Sequence, residues 1–177
     1  MPNINISKYQ MNNVEVNKSI RLSQHFTLGE MTRTGTGIPN IPSRVIIENL
    51  RNICENWLEE LRYDYNTLYC LKPGEDYETS KSVEPVIITS GFRSEDVNRA
   101  VGGSPTSNHL SGCAVDIRCA GFEQAVRYAT ILLDIADDTR QDYDELFIER
   151  KKGGRYWLHF AVRPEDNRRK TGFINAS

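Results

Sequence analysis

The 177-residue chain has only three histidines, and two of them stand in company that suits metal chemistry. One lies in Ser107-Asn108-His109-Leu110-Ser111-Gly112-Cys113-Ala114-Val115-Asp116, the other in Tyr156-Trp157-Leu158-His159-Phe160. Gly112 and the alternation after it argue for a loop leading into a strand rather than a helix. On such a strand Ala114, Asp116 and Arg118 share one face, and Val115, Ile117 and Cys119 share the other. The second set is apolar and belongs to a core, so Asp116 turns toward a cleft or solvent, where a carboxylate ligand is useful. His159 shares its strand face with Trp157, while Leu158 and Phe160 look inward, and a Trp beside a His makes a good pocket wall. Two imidazoles and a carboxylate from His109, Asp116 and His159 suit Zn2+ and leave a fourth position for water, as in catalytic zinc sites. Zinc so held lowers the pKa of that water toward ~7 and polarises a carbonyl. Residue types alone leave a second reading open, in which each histidine is only packed and hydrogen-bonded in its strand.

Several elements must position these residues. Thr27-Leu28-Gly29-Glu30 has the form of a capping box and predicts a short helix there. From Ser43 to about Arg62 the apolar residues Val45, Ile46, Leu50, Ile53, Cys54, Trp57, Leu58 and Leu61 recur at helical spacing, enough to cover one face of a sheet. Residues 66–84 read as a polar connection. Val86 to Thr89 reads as a buried strand, followed by a short helix from Ser94 to Val101 that stops at Gly102-Gly103. Phe122 to Ala136 predicts a second long helix, with Phe122, Ala125, Val126, Ala129, Leu132 and Leu133 on its apolar side. Leu146 to Glu149 and Tyr156 to Val162 read as a hairpin around Lys152-Gly153-Gly154. This order suggests an α+β fold with a mostly antiparallel sheet. The expected organisation is a polar arm over 1–22, one domain over 23–163 and a basic polar tail over 164–177.

Bulk properties narrow the function classes. A net charge of -2 and a pI near 6.0 give no footprint for nucleic acid or anionic lipid. Nothing approaches the ~18 apolar residues of a membrane span. The first residues lack the apolar stretch of a secretory signal, so synthesis in the cytoplasm is expected, and any export would need outside help. The cysteines (Cys54, Cys70, Cys113, Cys119) are too sparse for a disulfide scaffold and read as reduced thiols. Oligomeric state is not legible.

The pattern S-x-H-x-x-G-x-A-x-D (Ser107 to Asp116) followed by W-x-H (Trp157 to His159) resembles the zinc D-alanyl-D-alanine carboxypeptidase family, whose fold the hedgehog signalling domain shares. The nearest similarity is to its phage and Bacteroides-type peptidase branch. It extends through L-S-x-H-F-T-L-x-E (Leu22 to Glu30), E-N-L-R-N-I-C (Glu48 to Cys54), I-T-S-G-F-R-S (Ile88 to Ser94) and V-N-R-A-V-G-G-S (Val97 to Ser104). The resemblance implies His109, Asp116 and His159 as zinc ligands. It also implies the hedgehog/DD-peptidase α+β fold, with helices on one face of a mostly antiparallel sheet, and a peptidoglycan stem peptide as substrate. Arg93 is implied to face the site and hold a substrate carboxylate or carbonyl, which its planar fork matches bidentately. Ser107 is expected to bind substrate or steady His109, Trp157 to wall the pocket, and His25 to staple the start of the first helix. A binding module on the same fold is the alternative function.

The general base is the point of departure from the best-known members, which often carry an acid three residues before the last ligand; here that residue is Tyr156. Glu149, on the preceding strand, is the remaining candidate, and its orientation depends on hairpin register. A three-residue Lys152-Gly153-Gly154 loop pairs Glu149 with Trp157 and places it on the site face, diagonal to His159 at roughly 7 Å between β-carbons. A two-residue turn pairs it with Leu158 and buries a lone carboxylate in the core, so burial cost favours the longer loop.

Overall fold

The computed structural model describes residues 19–176, with side chains to residue 175, and is mixed α/β. A five-stranded sheet has the order β1-β2-β4-β3-β5. Its strands are β1 (Ile88–Ser90), β2 (Ala114–Cys119), β3 (Glu145–Lys151), β4 (Arg155–Ala161) and β5 (Lys170–Ala176). The β1–β2, β2–β4 and β3–β4 pairs are antiparallel, and β3–β5 is parallel. The helices are α1 (Leu28–Thr32), α2 (Arg44–Ile53), α3 (Glu59–Tyr69), α4 (Glu95–Ala100) and α5 (Phe122–Thr139). A π-helical turn, Cys54–Leu58, joins α2 to α3.

Alternation sorts the sheet into two faces. Val115, Ile117 and Cys119 of β2, Leu158 and Phe160 of β4 and Leu146 of β3 enter one core with Leu50, Trp57 and Leu61 of the long helix and Tyr128, Leu132 and Ile135 of α5. Trp57 packs on Phe160 with ring centroids 5.1 Å apart. Asp116, His159 and Glu149 lie on the other face.

Local signals explain the helix starts. Thr27 accepts from the Glu30 N–H while the Glu30 carboxylate accepts from the Thr27 N–H, the reciprocal box that the sequence predicts. Ser43 and Ser94 cap α2 and α4 through the N–H groups of Ile46 and Val97.

Four expectations need correction. The first long helix continues past Arg62 to Tyr69, because polar-looking residues there are buried: Tyr65 packs edge-on against Tyr128 at 4.7 Å. Asn66 in turn donates to the carbonyls of Arg62 and Glu84. On α5 the inward side is Ala125, Tyr128, Ile131, Leu132, Ile135 and Ala136, whereas Phe122 and Val126 are exposed. Ile87, read as part of a buried strand, is exposed, and β1 begins one residue later. Within the expected C-terminal tail, residues 170–176 form β5, a strand without apolar alternation because its described side chains from 171 to 175 are all exposed. Of the expected N-terminal arm, 1–18 lie outside the described residues, and Leu22 is buried in the core. All four cysteines are free, and no helix among the described residues is long and apolar enough to cross a membrane.

His25 ties the N-terminal segment to α3. Glu59 accepts from the Ser23 hydroxyl at 2.6 Å and the His25 N–H at 2.7 Å, and its other oxygen meets His25 Nδ1 at 2.6 Å. Burial would raise the Glu59 carboxyl, but these bonds outweigh it and hold it below its ordinary 4.5. A depressed carboxyl contributes stability above its unfolded-state pKa that is lost as pH falls through the folded value. Glu59→Gln is therefore expected to cost about 1.5–3 kcal/mol at pH 7, the range for hydrogen bonds to a charged group. Chemical denaturation should show this gap narrowing toward pH 3; an equal gap at both pH values contradicts the assignment.

Candidate metal centre

Asp116 occupies the middle of β2, with Ser90 of β1 as one cross-strand partner and His159 of β4 as the other. His109 arrives from a 3-10 turn, Asn108–Ser111, that Ser107 caps by accepting from the His109 N–H. Gly112 ends that turn at φ 70°, and a Cβ there would lie 2.7 Å from Ile46 Cγ2, so both conformation and space require glycine. Gly91 is needed for another close approach, since its Cβ would sit 2.4 Å from the Met31 carbonyl oxygen. Asn40 staples this region by donating to the carbonyls of Thr32 and Phe92 and accepting from the Ser94 N–H.

One donor atom each from His109, Asp116 and His159 lies within 4.8 Å of the others. His109 Nδ1 is 2.6 Å from the Gly91 carbonyl, which can only accept, so Nδ1 carries a proton and Nε2 is the nitrogen turned to the site. That Nε2 lies 3.3 Å from Asp116 Oδ1, and His159 Nδ1 lies 2.9 Å from the same oxygen. A tetrahedral zinc with bonds near 2.0–2.1 Å sets its donors about 3.3 Å apart, so this donor set fits the ion. Burial alone would raise the Asp116 carboxyl; His109 and His159 outweigh it and hold it far below the usual carboxylate range. Burial likewise disfavours a charged His159, but hydrogen bonds to Asp116 and Glu145 prevail and its pKa is pushed up to about 9.

Arg93 is not a free cation in this site. Its Nη2 donates to Asp116 Oδ2 at 2.5 Å and its Nε to the Ser90 hydroxyl at 2.8 Å. The guanidinium thereby fixes the oxygen of Asp116 that does not face the histidines.

The hairpin has the three-residue loop: Lys151 pairs with Arg155, Arg150 with Tyr156 and Glu149 with Trp157. Gly153 and Gly154 take φ values of 101° and 83° in the turn. Glu149 therefore shares the face of Trp157 and His159, half-buried beside the triad. Burial pushes its carboxyl above the ordinary value; His159 and Arg93 oppose the rise, and Asp116 and Glu145 add to it. Tyr156 pairs with Cys119 and packs against the core, which removes it as a base.

Sequence reasoning did not single out the ring of groups behind His159. Glu145 Oε2 lies 3.4 Å from His159 Nε2, and Phe147 stacks on the ring at 6.2 Å and 17°. Asp144, with 0% exposure, accepts from Asn108 and three times from Arg168, through its backbone N–H, Nε and Nη2. The signal was available in the alternation of β3, which puts Glu145, Phe147 and Glu149 on one face with His159 opposite Phe147.

A family model described as Peptidase M15 matches residues 75–137. The match supports the M15 zinc peptidase family. It covers β1, Arg93, α4, Ser107, His109 and Asp116, and stops before Glu149, Trp157 and His159. With the His109–Asp116–His159 cluster it supports a zinc-dependent metallopeptidase with a peptide substrate. No curated protein matches the chain.

Proposed function

We propose that this protein is a zinc peptidase that hydrolyses a peptide bond in peptidoglycan stem peptides, as a D,D-carboxypeptidase or endopeptidase on the hedgehog/DD-peptidase fold of the phage and Bacteroides-type branch. The observation that carries the reading is the convergence of two imidazoles and one carboxylate at one sheet face, with a half-buried carboxyl, Glu149, on that same face.

His109 Nε2, Asp116 Oδ1 and His159 Nδ1 are the atoms that would hold the ion. When bound, zinc polarises the scissile carbonyl and acidifies water. Glu149 takes the proton of the attacking water and delivers it to the leaving amine as the C–N bond breaks. A carboxyl raised above its usual value suits both halves of that transfer. Arg93 orients Asp116 and lends positive charge to the side of the site where the substrate carbonyl or carboxylate sits. Trp157, beside Glu149 in the register, supplies an apolar wall for the peptide, and Ser107 steadies the His109 backbone.

Digestion of purified sacculi by zinc-reconstituted protein, with new termini identified by mass spectrometry, tests this directly. New amino and carboxyl termini within stem peptides are expected. A folded, zinc-loaded protein that releases none would overturn the peptidase reading and favour a binding module.

A further inference from the structure

The groups behind the two histidines form one connected network that reaches the C-terminal segment. Glu145 Oε2 is 3.4 Å from His159 Nε2, the ring nitrogen that does not face Asp116. The same carboxylate accepts from Arg168 Nη2 at 2.8 Å and from Asn108 Nδ2 at 3.1 Å. Asn108, directly before His109, also donates to Asp144 Oδ2 at 2.7 Å. Arg168 closes the network by donating from Nε at 2.7 Å and Nη2 at 2.5 Å to Asp144, a fully buried carboxylate. Arg168 stands two residues before β5, whose first residue, Lys170, pairs with Glu145.

We propose that Glu145 is a positioning residue for His159, and that Arg168 holds it there, making the C-terminal segment a determinant of metal affinity. The inference rests on the zinc reading of the triad. An imidazole has two nitrogens, and a ligand must present one of them unprotonated. With Nδ1 given to the ion, the ring proton would be on Nε2, where the Glu145 carboxylate accepts it and sets the ring angle. Without Glu145, the Nε2 proton loses this acceptor, and the ring is held only from its Nδ1 side and by Phe147 stacked against it. Arg168 acts one step further out. Its planar fork neutralises two adjacent carboxylates that would otherwise repel each other and turn Glu145 away from the ring. Asn108 gives the same network a hold on the turn that carries His109, so a single assembly steadies both imidazoles.

The test is zinc affinity by competition with a chelating fluorophore, for wild type, Glu145→Ala, Glu145→Gln and Arg168→Gln. The hydrogen bond at His159 Nε2 is read from the shift of that N–H proton in the zinc-loaded proteins. Glu145→Ala is expected to weaken zinc binding by about 10–100-fold and to move the Nε2–H signal upfield, with little change in metal-free melting temperature. Glu145→Gln keeps an acceptor for the Nε2 proton and is expected to recover most of the affinity. Arg168→Gln is expected to weaken zinc binding as well, and its metal-free melting curve separates that loss from the cost of unpairing Asp144. Glu145→Ala with zinc affinity within about 2-fold of wild type and an unchanged Nε2–H signal would overturn the proposal. Zinc binding that depends on Glu145 in a chain that cleaves no peptide would overturn the peptidase reading alone. Cleavage with Glu145-independent zinc affinity would overturn this inference alone. A wild type that takes up no zinc would overturn both.

Discussion

Glu149→Gln is expected to keep its zinc and its fold while losing activity by ~10²–10⁴-fold, the usual worth of a positioned general base. The substitution preserves shape on the sheet face shared with Trp157 and His159, and removes only the ability to hold a proton. It also removes a carboxyl whose burial is a cost, so the variant should be no less stable than wild type. The loss should fall on kcat rather than on KM, because the proton moves only after the peptide is bound. Turnover within a few-fold of wild type would exclude Glu149 as the base. Glu145, the other acid flanking His159 on β3, would then be the alternative, although its contacts with His159, Arg168 and Asn108 leave it poorly placed to shuttle protons.

Asp116→Asn has the second large effect, because one carboxylate serves three partners. Oδ1 faces both imidazoles and Oδ2 takes Arg93. A neutral amide can satisfy no more than part of this set and would turn an N–H2 toward a ring nitrogen or toward the guanidinium. Zinc affinity should fall by more than the ~10–100-fold typical of changes outside the ligand set. Stability should fall by about 1–3 kcal/mol, less than the ~3–5 of a fully buried pair, because the Arg93 and Asp116 side chains keep 18% and 12% exposure. Isothermal titration and chemical denaturation read the two effects separately. Zinc affinity within about 10-fold of wild type would remove Asp116 from the ligand set.

What the sequence disclosed follows from where its periodicity is clean. β2 and β4 alternate apolar and polar residues because one face meets the core, so the alternation alone gives the orientation of Asp116 and His159. The position of Glu149 followed from loop length and the cost of burying a carboxylate, and the observed register has that loop. β5 was illegible because it is an exposed edge held by backbone pairing and by the ion pairs of Arg168 and Arg169, none of which leaves a hydrophobic pattern. The extension of α3 was missed because Tyr65 and Asn66 are buried through ring packing and amide hydrogen bonds instead of aliphatic spacing. The engagement of Arg93 with Asp116 depends on β1 and β2 lying side by side, a contact between segments 23 residues apart that no local pattern encodes. The same holds for Glu145, Asp144 and Arg168, whose meaning appears only when the C-terminal segment is laid against β3.

The most direct test of the zinc centre is metal content per chain after zinc reconstitution and exhaustive dialysis, for wild type beside His109→Ala and His159→Ala. One zinc per chain in the wild type and none in either variant, with all three folded, is the expected result. A wild type without zinc, or variants loaded as fully as the wild type, would contradict it.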